Sequence, residues 1–133
     1  MKRKIAILLV AVLYLAFAAC GAVDPSVTYG KSELYTEEEI WAAVDVVVDY
    51  VGDWENRTLL RVKYDEDYTL REMKYRKEHY GDETVIVLLT DIRAELGSLA
   101  VGPFSPGQTC TDYQFILTRD DFGRWTIQGS GYA

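Results

Sequence analysis

Ile5 to Ala19 form fifteen consecutive apolar residues, preceded by Lys2-Arg3-Lys4 and followed by Cys20. A charged start, an apolar run and a small-residue end are the layout of a secretory signal, so this segment is set apart from the fold. As a helix rising about 1.5 Å per residue it would reach about 22 Å, short of the roughly 30 Å hydrocarbon core, which makes a permanent span the weaker reading. The remaining 114 of 133 residues suffice for one domain. With Lys2, Arg3 and Lys4 gone, 11 lysines and arginines face 21 acids, a net charge of −10. Such a surface cannot displace phosphate counterions, which argues against binding nucleic acid. At 49% hydrophobic and 13% aromatic residues the chain is too apolar for disorder.

Phe17-Ala18-Ala19-Cys20 resembles a bacterial lipobox, in which small residues precede a cysteine that becomes lipidated and N-terminal. Phe17 stands where leucine is usual. Ordinary cleavage after Ala18 is therefore the alternative, and an uncleaved anchor the next. All three place the domain outside the cytoplasm, and the first makes it a lipoprotein held at the cell membrane through Cys20. Cys110 is then left without an intramolecular partner and reads as a small apolar residue, with Asp112 too close for an activated thiolate.

The organisation expected is a signal over 1–19, a flexible tether over 20–35 and a single α+β domain over 36–133. Thr36-Glu37-Glu38-Glu39 is a capping box. Ile40, Ala43, Val44, Val47, Val48 and Val51 follow as one apolar helical stripe, with Gly52 as its stop. Thr58 to Tyr64 alternates Leu60, Val62 and Tyr64 against Leu59, Arg61 and Lys63, the pattern of a half-buried strand. Asp65-Glu66-Asp67 opens a second helix that ends in Lys74, Arg76, Lys77 and His79 before Gly81, with a thin stripe of Leu70, Met73 and Tyr80. Thr84 to Leu96 reads as a strand that is central at its start and exposed at its end, and Gly97 to Thr111 as a long loop. Tyr113–Arg119 and Arg124–Gln128 flank Asp120-Asp121-Phe122-Gly123 as a hairpin. The expected fold is α+β, with N-terminal helices packed on a curved antiparallel sheet of about four strands.

The helix start Thr36 to Ile40, Tyr64-Asp65-Glu66, and the ending Tyr113 to Leu117 with Arg119, Trp125, Gly131 and Tyr132 together resemble one family, the small lipoproteins of clostridial-type bacteria grouped as the domain of unknown function DUF4829. The resemblance covers roughly 35–132. It implies an NTF2-like or cystatin-like roll at the cell surface and brings no catalytic residues with it.

The acids of Asp65-Glu66-Asp67 lack the spacing of a calcium loop, and one histidine without a cysteine pair does not make a zinc site, so neither metal nor cofactor is expected. His79 at a helix end has no nucleophile context, and Ser98, Ser105 and Ser130 read as turn residues. Pocket enzymes of NTF2-like fold use a carboxylate base with a tyrosine or acid donor, which makes Asp91 with a tyrosine the enzymatic alternative. Arg71, Lys74, Arg76 and Lys77 read as a solvated helix face, with an acidic partner or the membrane surface as the other reading. Asn56-Arg57-Thr58 matches a glycosylation sequon by coincidence.

The expected activity is binding, of an envelope protein or a small ligand. The candidate surface is the loop with Leu99, Val101 and Phe104, together with Tyr113, Trp125 and Tyr132 beside it. The same aromatics could instead fill the core. A structural or regulatory role in an envelope complex is a further alternative.

Overall fold

A computed structural model describes residues 24–97 and 104–132. Cys20, Leu99 and Val101 lie outside them. Strand β1 (Ser26–Thr28) is followed by helix α1 (Glu37–Gly52), strand β2 (Arg57–Tyr64), helix α2 (Glu66–Tyr80) and strands β3 (Val85–Ala94), β4 (Thr109–Arg119) and β5 (Trp125–Tyr132). The fold is α+β. Two expectations are corrected: the sheet has five strands and is mixed, and the helices are interleaved with strands rather than gathered at the N-terminus. The strand order β1-β2-β3-β4-β5 follows the chain, with β1 parallel to β2 and all other pairs antiparallel. Among the described residues no helix is long and apolar enough to cross a membrane.

Helix α1 forms where its capping box places it. Glu39 N–H donates to Thr36 Oγ1 at 3.2 Å, and Thr36 N–H donates to Glu39 Oε1 at 3.1 Å, so two orphan donors of the first turn are satisfied. Ile40, Ala43, Val44, Val47 and Val51 are buried along the expected stripe. Burial of this kind is worth about 1.5–3 kcal/mol per large side chain, and it stabilises a run that Val46-Val47-Val48 makes intrinsically poor in helix propensity.

That stripe meets Val62 and Tyr64 of β2, Ile86, Leu88, Ile92 and Ala94 of β3, Phe115 and Leu117 of β4 and Trp125 of β5 in one core. By alternation Val85, Val87 and Leu89 occupy the other face of β3, and they too are buried; α2 packs against this strand. Strand β3 is therefore central over Val85–Thr90, and beyond α2 its Arg93 is exposed.

Strand β2 departs from simple alternation. Leu59 pairs with Ile92 but Arg61 pairs with Asp91, so Leu60 is an extra residue. This bulge puts Leu59 into the core with Val62 and Tyr64 and leaves Leu60 half-buried, against the alternation expected. Helix α2 also differs from its expected stripe. Leu70 and Tyr80 are 48% and 63% exposed, and Thr69 is the one α2 residue that is buried.

The segment read as tether contains β1. Val27 pairs with Val62, and beyond the strand Tyr35 packs against the core. The loop between β3 and β4 is shorter than expected at its far end, because β4 already pairs with β3 at Thr109.

Candidate functional site

Of the residues that carry the family resemblance, Thr36 to Ile40, Tyr64-Asp65-Glu66, Arg119 and Trp125 gather at one end of the sheet, where α1 begins, β2 and β4 end and β5 starts, whereas Tyr113, Gly131 and Tyr132 lie at the other end. Glu39 is the centre of the group. Arg119, the last residue of β4, donates from Nη2 to Glu39 Oε2, and Trp125 Nε1–H donates to the Glu39 carbonyl at 3.1 Å. The Arg119 guanidinium lies 4.5 Å from the Trp125 ring centroid and 5.9 Å from that of Tyr35, both cation–π distances. Tyr35 stands edge-on to Trp125 at 5.6 Å and to Tyr64 at 6.3 Å, and its hydroxyl donates to the Val85 carbonyl.

A second set of polar groups continues from Tyr64. Its hydroxyl donates to Glu66 Oε1 at 3.0 Å, and Ser32 Oγ donates to the same oxygen at 2.5 Å. The backbone N–H of Glu33 adds a bond to Glu66 Oε1 at 3.2 Å. One carboxylate at the start of α2 thus ties down the segment between β1 and α1.

The electrostatics follow from these bonds. The Arg119 hydrogen bond, with that of the Thr36 N–H, holds the Glu39 carboxyl below the ordinary carboxylate value. The Ser32 hydroxyl is the largest cause of a similar lowering at Glu66. Burial pushes Tyr64 up to about 12, with Glu66 adding to the rise, and burial also raises Tyr35. At neutral pH the site holds ionised carboxylates and protonated phenols, the forms that accept and donate the hydrogen bonds described above.

Outside this network Thr36, Glu37, Glu38 and Trp41 line an open cleft of about 710 Å³. Trp41 is 40% exposed, and Tyr29 stands edge-on to it with ring centroids 6.3 Å apart. The Tyr29 hydroxyl donates to Glu37 Oε1 at 2.5 Å.

The candidate surface residues are divided by the fold. Phe104 and Tyr113 are buried beside Trp54 at the opposite end of the α1 face, with Phe104 5.7 Å from Trp54 and 5.1 Å from Tyr113. Trp125 is buried at the near end under Glu39, and Tyr132 is 68% exposed at the far end of β5. Helix α1 covers the face these strands present, so the buried aromatics fill the core and do not line one open patch.

Asp91 and the tyrosines are on different faces. Tyr64 and Tyr113 belong to the α1 core, whereas Asp91, next to Ile92, projects from the other side. There its Oδ2 lies 3.0 Å from Arg61 Nε, and its Oδ1 accepts the Asp112 N–H at 3.2 Å. Arg61 also reaches Asp112 at 3.3 Å. Asp112, at φ 53°, is the extra residue of a bulge in β4 opposite Asp91, so irregular neighbours flank this carboxylate on both sides.

His79 is exposed at the end of α2, stacked on Tyr75 at 4.2 Å, with Nδ1 2.7 Å from the Tyr75 carbonyl. Among the described residues no group of three or more His, Cys, Asp or Glu side chains is placed to hold a metal ion. Cys110 is buried and unpaired.

Sequence reasoning recognised the Thr36–Glu39 box but not its partner, since Arg119 lies 80 residues further on. Tyr35 and Ser32 were hidden in a stretch that composition assigns to a tether. Trp41 carries a signal that could have been used, a large aromatic off the apolar stripe of an amphipathic helix.

Comparisons with family models, with curated proteins and with solved structures find no match to this chain.

Proposed function

We propose that this chain is an extracytoplasmic lipoprotein, anchored through Cys20, whose domain binds an envelope protein or a small ligand and does not transform it. The observation that carries the binding reading is the separation of Asp91 from the tyrosines. The carboxylate a pocket enzyme would use is paired with Arg61 on one face of the sheet, while Tyr64 and Tyr113 are packed on the other. Recognition is left to exposed side chains, of which Trp41 beside its cleft and Phe122, 84% exposed on the β4–β5 turn, stand at the same end of the sheet.

The kinship with DUF4829-like lipoproteins is part of the same proposal. It is supported by the convergence of Glu39, Tyr64, Glu66, Arg119 and Trp125, which are far apart in sequence. An NTF2-like or cystatin-like roll is supported by α1 lying across the sheet, and the parallel β1 is an addition to the antiparallel sheet that such a roll implies.

The test has two parts. Metabolic labelling with a fatty-acid analogue should mark the protein and fail on Cys20→Ala; an unlabelled protein that is released from cells overturns the anchor. Crosslinking in native membranes should then give a defined adduct that Trp41→Ala with Phe122→Ser abolishes and Asp91→Asn preserves. Loss of a measurable turnover in Asp91→Asn would instead establish an enzyme.

A further inference from the structure

The position of β1 determines how an anchored domain can sit on its membrane. Ser26, the first residue of β1, is six positions beyond Cys20. Six residues span at most about 20 Å when fully extended. A tether running to Tyr35 would reach more than twice as far, but the sheet takes up the chain at Ser26.

The direction of β1 then selects one end of the domain. It runs parallel to β2, with Ser26 beside Arg61 and Thr28 beside Lys63, so the chain arrives from the end where β2 starts. At that end Arg57 pairs with Ala94, Arg93 with Thr109 and Tyr113 with Tyr132, which brings together the start of β2, the end of β3, the start of β4 and the end of β5. The opposite end carries the start of α1, Arg119 and the turn with Phe122.

The end nearest the attachment point presents Leu96, 85% exposed, Tyr132, 68% exposed, and Tyr50 of the last turn of α1, 46% exposed. Tyrosine, with an apolar ring and a polar tip, is suited to the headgroup region of a bilayer. The opposite end has exposed apolar groups of its own in Phe122 and Trp41, so it is the reach of the tether that discriminates between the two. Charge does not: Arg57 and Arg93 near the attachment end stand among Asp53, Glu55 and Glu95.

We propose that the domain stands on the bilayer on the end that bears Leu96, Tyr132 and Tyr50, with the start of α1 and the Phe122 turn directed away from the lipid. The proposal rests on the anchoring of Cys20 inferred above. Strand β4 has 11 residues, about 35 Å of extended chain, and this sets the height of the outer end over the inner one. The outer end is then the surface open to a partner, and the inner end is covered by lipid. Because the contact is apolar and the local charges are mixed, the orientation is insensitive to salt and to anionic lipid.

The experiment uses the full lipidated protein in phosphatidylcholine vesicles, labelled with a fluorophore at Leu96→Cys or Phe122→Cys, both exposed positions. A short-range quencher is attached to lipid headgroups. The Leu96 label should lose most of its emission and the Phe122 label almost none, with the same result when an anionic lipid is added or the salt is raised. Equal quenching, or stronger quenching at Phe122, overturns the orientation while leaving the anchor intact. A protein that does not float with the vesicles overturns both. Inserting about a dozen Gly/Ser residues after Gly21 should bring the two labels closer together in quenching, since the longer tether lets the domain turn; an unchanged difference would show that the tether does not set the orientation.

Discussion

The hydroxyl of Thr69 accepts the amide N–H of Val87 at 3.0 Å, in the place that a residue of β2 would occupy if that strand continued. Strand β2 leaves the sheet at Tyr64, and the last bond of the ladder runs from Asp65 N–H to the Val87 carbonyl. One turn into α2 the Thr69 hydroxyl, itself donating to the Asp65 carbonyl at 2.7 Å, satisfies the remaining donor. A buried N–H without a partner is costly, and Thr69 is fully buried for this reason, although it is polar.

Thr69→Val keeps the shape and removes the acceptor. It should cost about 1–3 kcal/mol, the penalty of an unsatisfied buried donor, whereas Thr69→Ser should cost less because it keeps the hydroxyl. Urea unfolding of the two variants checks the order. Equal losses would mean that the methyl group, not the hydrogen bond, is what the position needs.

Val47 is completely buried in the middle of α1, and Asp49 is exposed on its outer side. Val47→Asp places an unpaired charge in the core, a cost of several kcal/mol against a typical total of about 5–15, and should abolish cooperative unfolding. Asp49→Ala should melt within a degree or two of the parent. Thermal denaturation followed by circular dichroism reads both.

The Glu39–Arg119 pair predicts a pH dependence. Arg119 lowers the folded-state value of the Glu39 carboxyl below its ordinary 4.5, so the pair contributes stability above that value and loses it as pH falls through the lowered one. Arg119→Gln should cost about 0.5–1 kcal/mol at pH 7, small because the pair is part-exposed. The difference from the parent should shrink by pH 3, leaving the part owed to the stacking of Arg119 on Trp125. Melting temperatures at the two pH values test this, and a difference that grows on acidification would reverse the sign.

Gly107 sits at φ +76° in the loop before β4, and a Cβ there would come within 2.8 Å of Leu96 Cδ2. Leu96 is exposed and can swing aside, so the backbone is the main obstacle. Gly107→Ala should cost about 1–2 kcal/mol, the left-handed penalty of an L-residue, and Gly107→Asn less. Chemical denaturation of the pair measures the difference.

Helix α1 was legible because its signals are local: a capping box, an apolar stripe and a glycine lie within 17 residues of one another. The β4–β5 turn was legible for the same reason, through Asp120 and Gly123. Strand β1 was not, since Ser26-Val27-Thr28 has too few residues to show a period, and its pairing with β2 is set by tertiary contact. The bulges at Leu60 and Asp112 were equally hidden, and the first of them reversed which leucine enters the core. Alternation placed Phe104, Tyr113 and Trp125 near a sheet face but could not say that α1 covers that face. The Glu39–Arg119–Trp125 group depends on contacts over 80 or more residues, and no local pattern carries them.

The spatial order of the strands repeats their order along the chain. A polypeptide is made N-terminus first, and here each strand in turn is added to the outside of the part already paired. None has to be inserted between two strands that have met. Assembly can thus keep pace with synthesis, with β4 as the open border until β5 comes to lie along it.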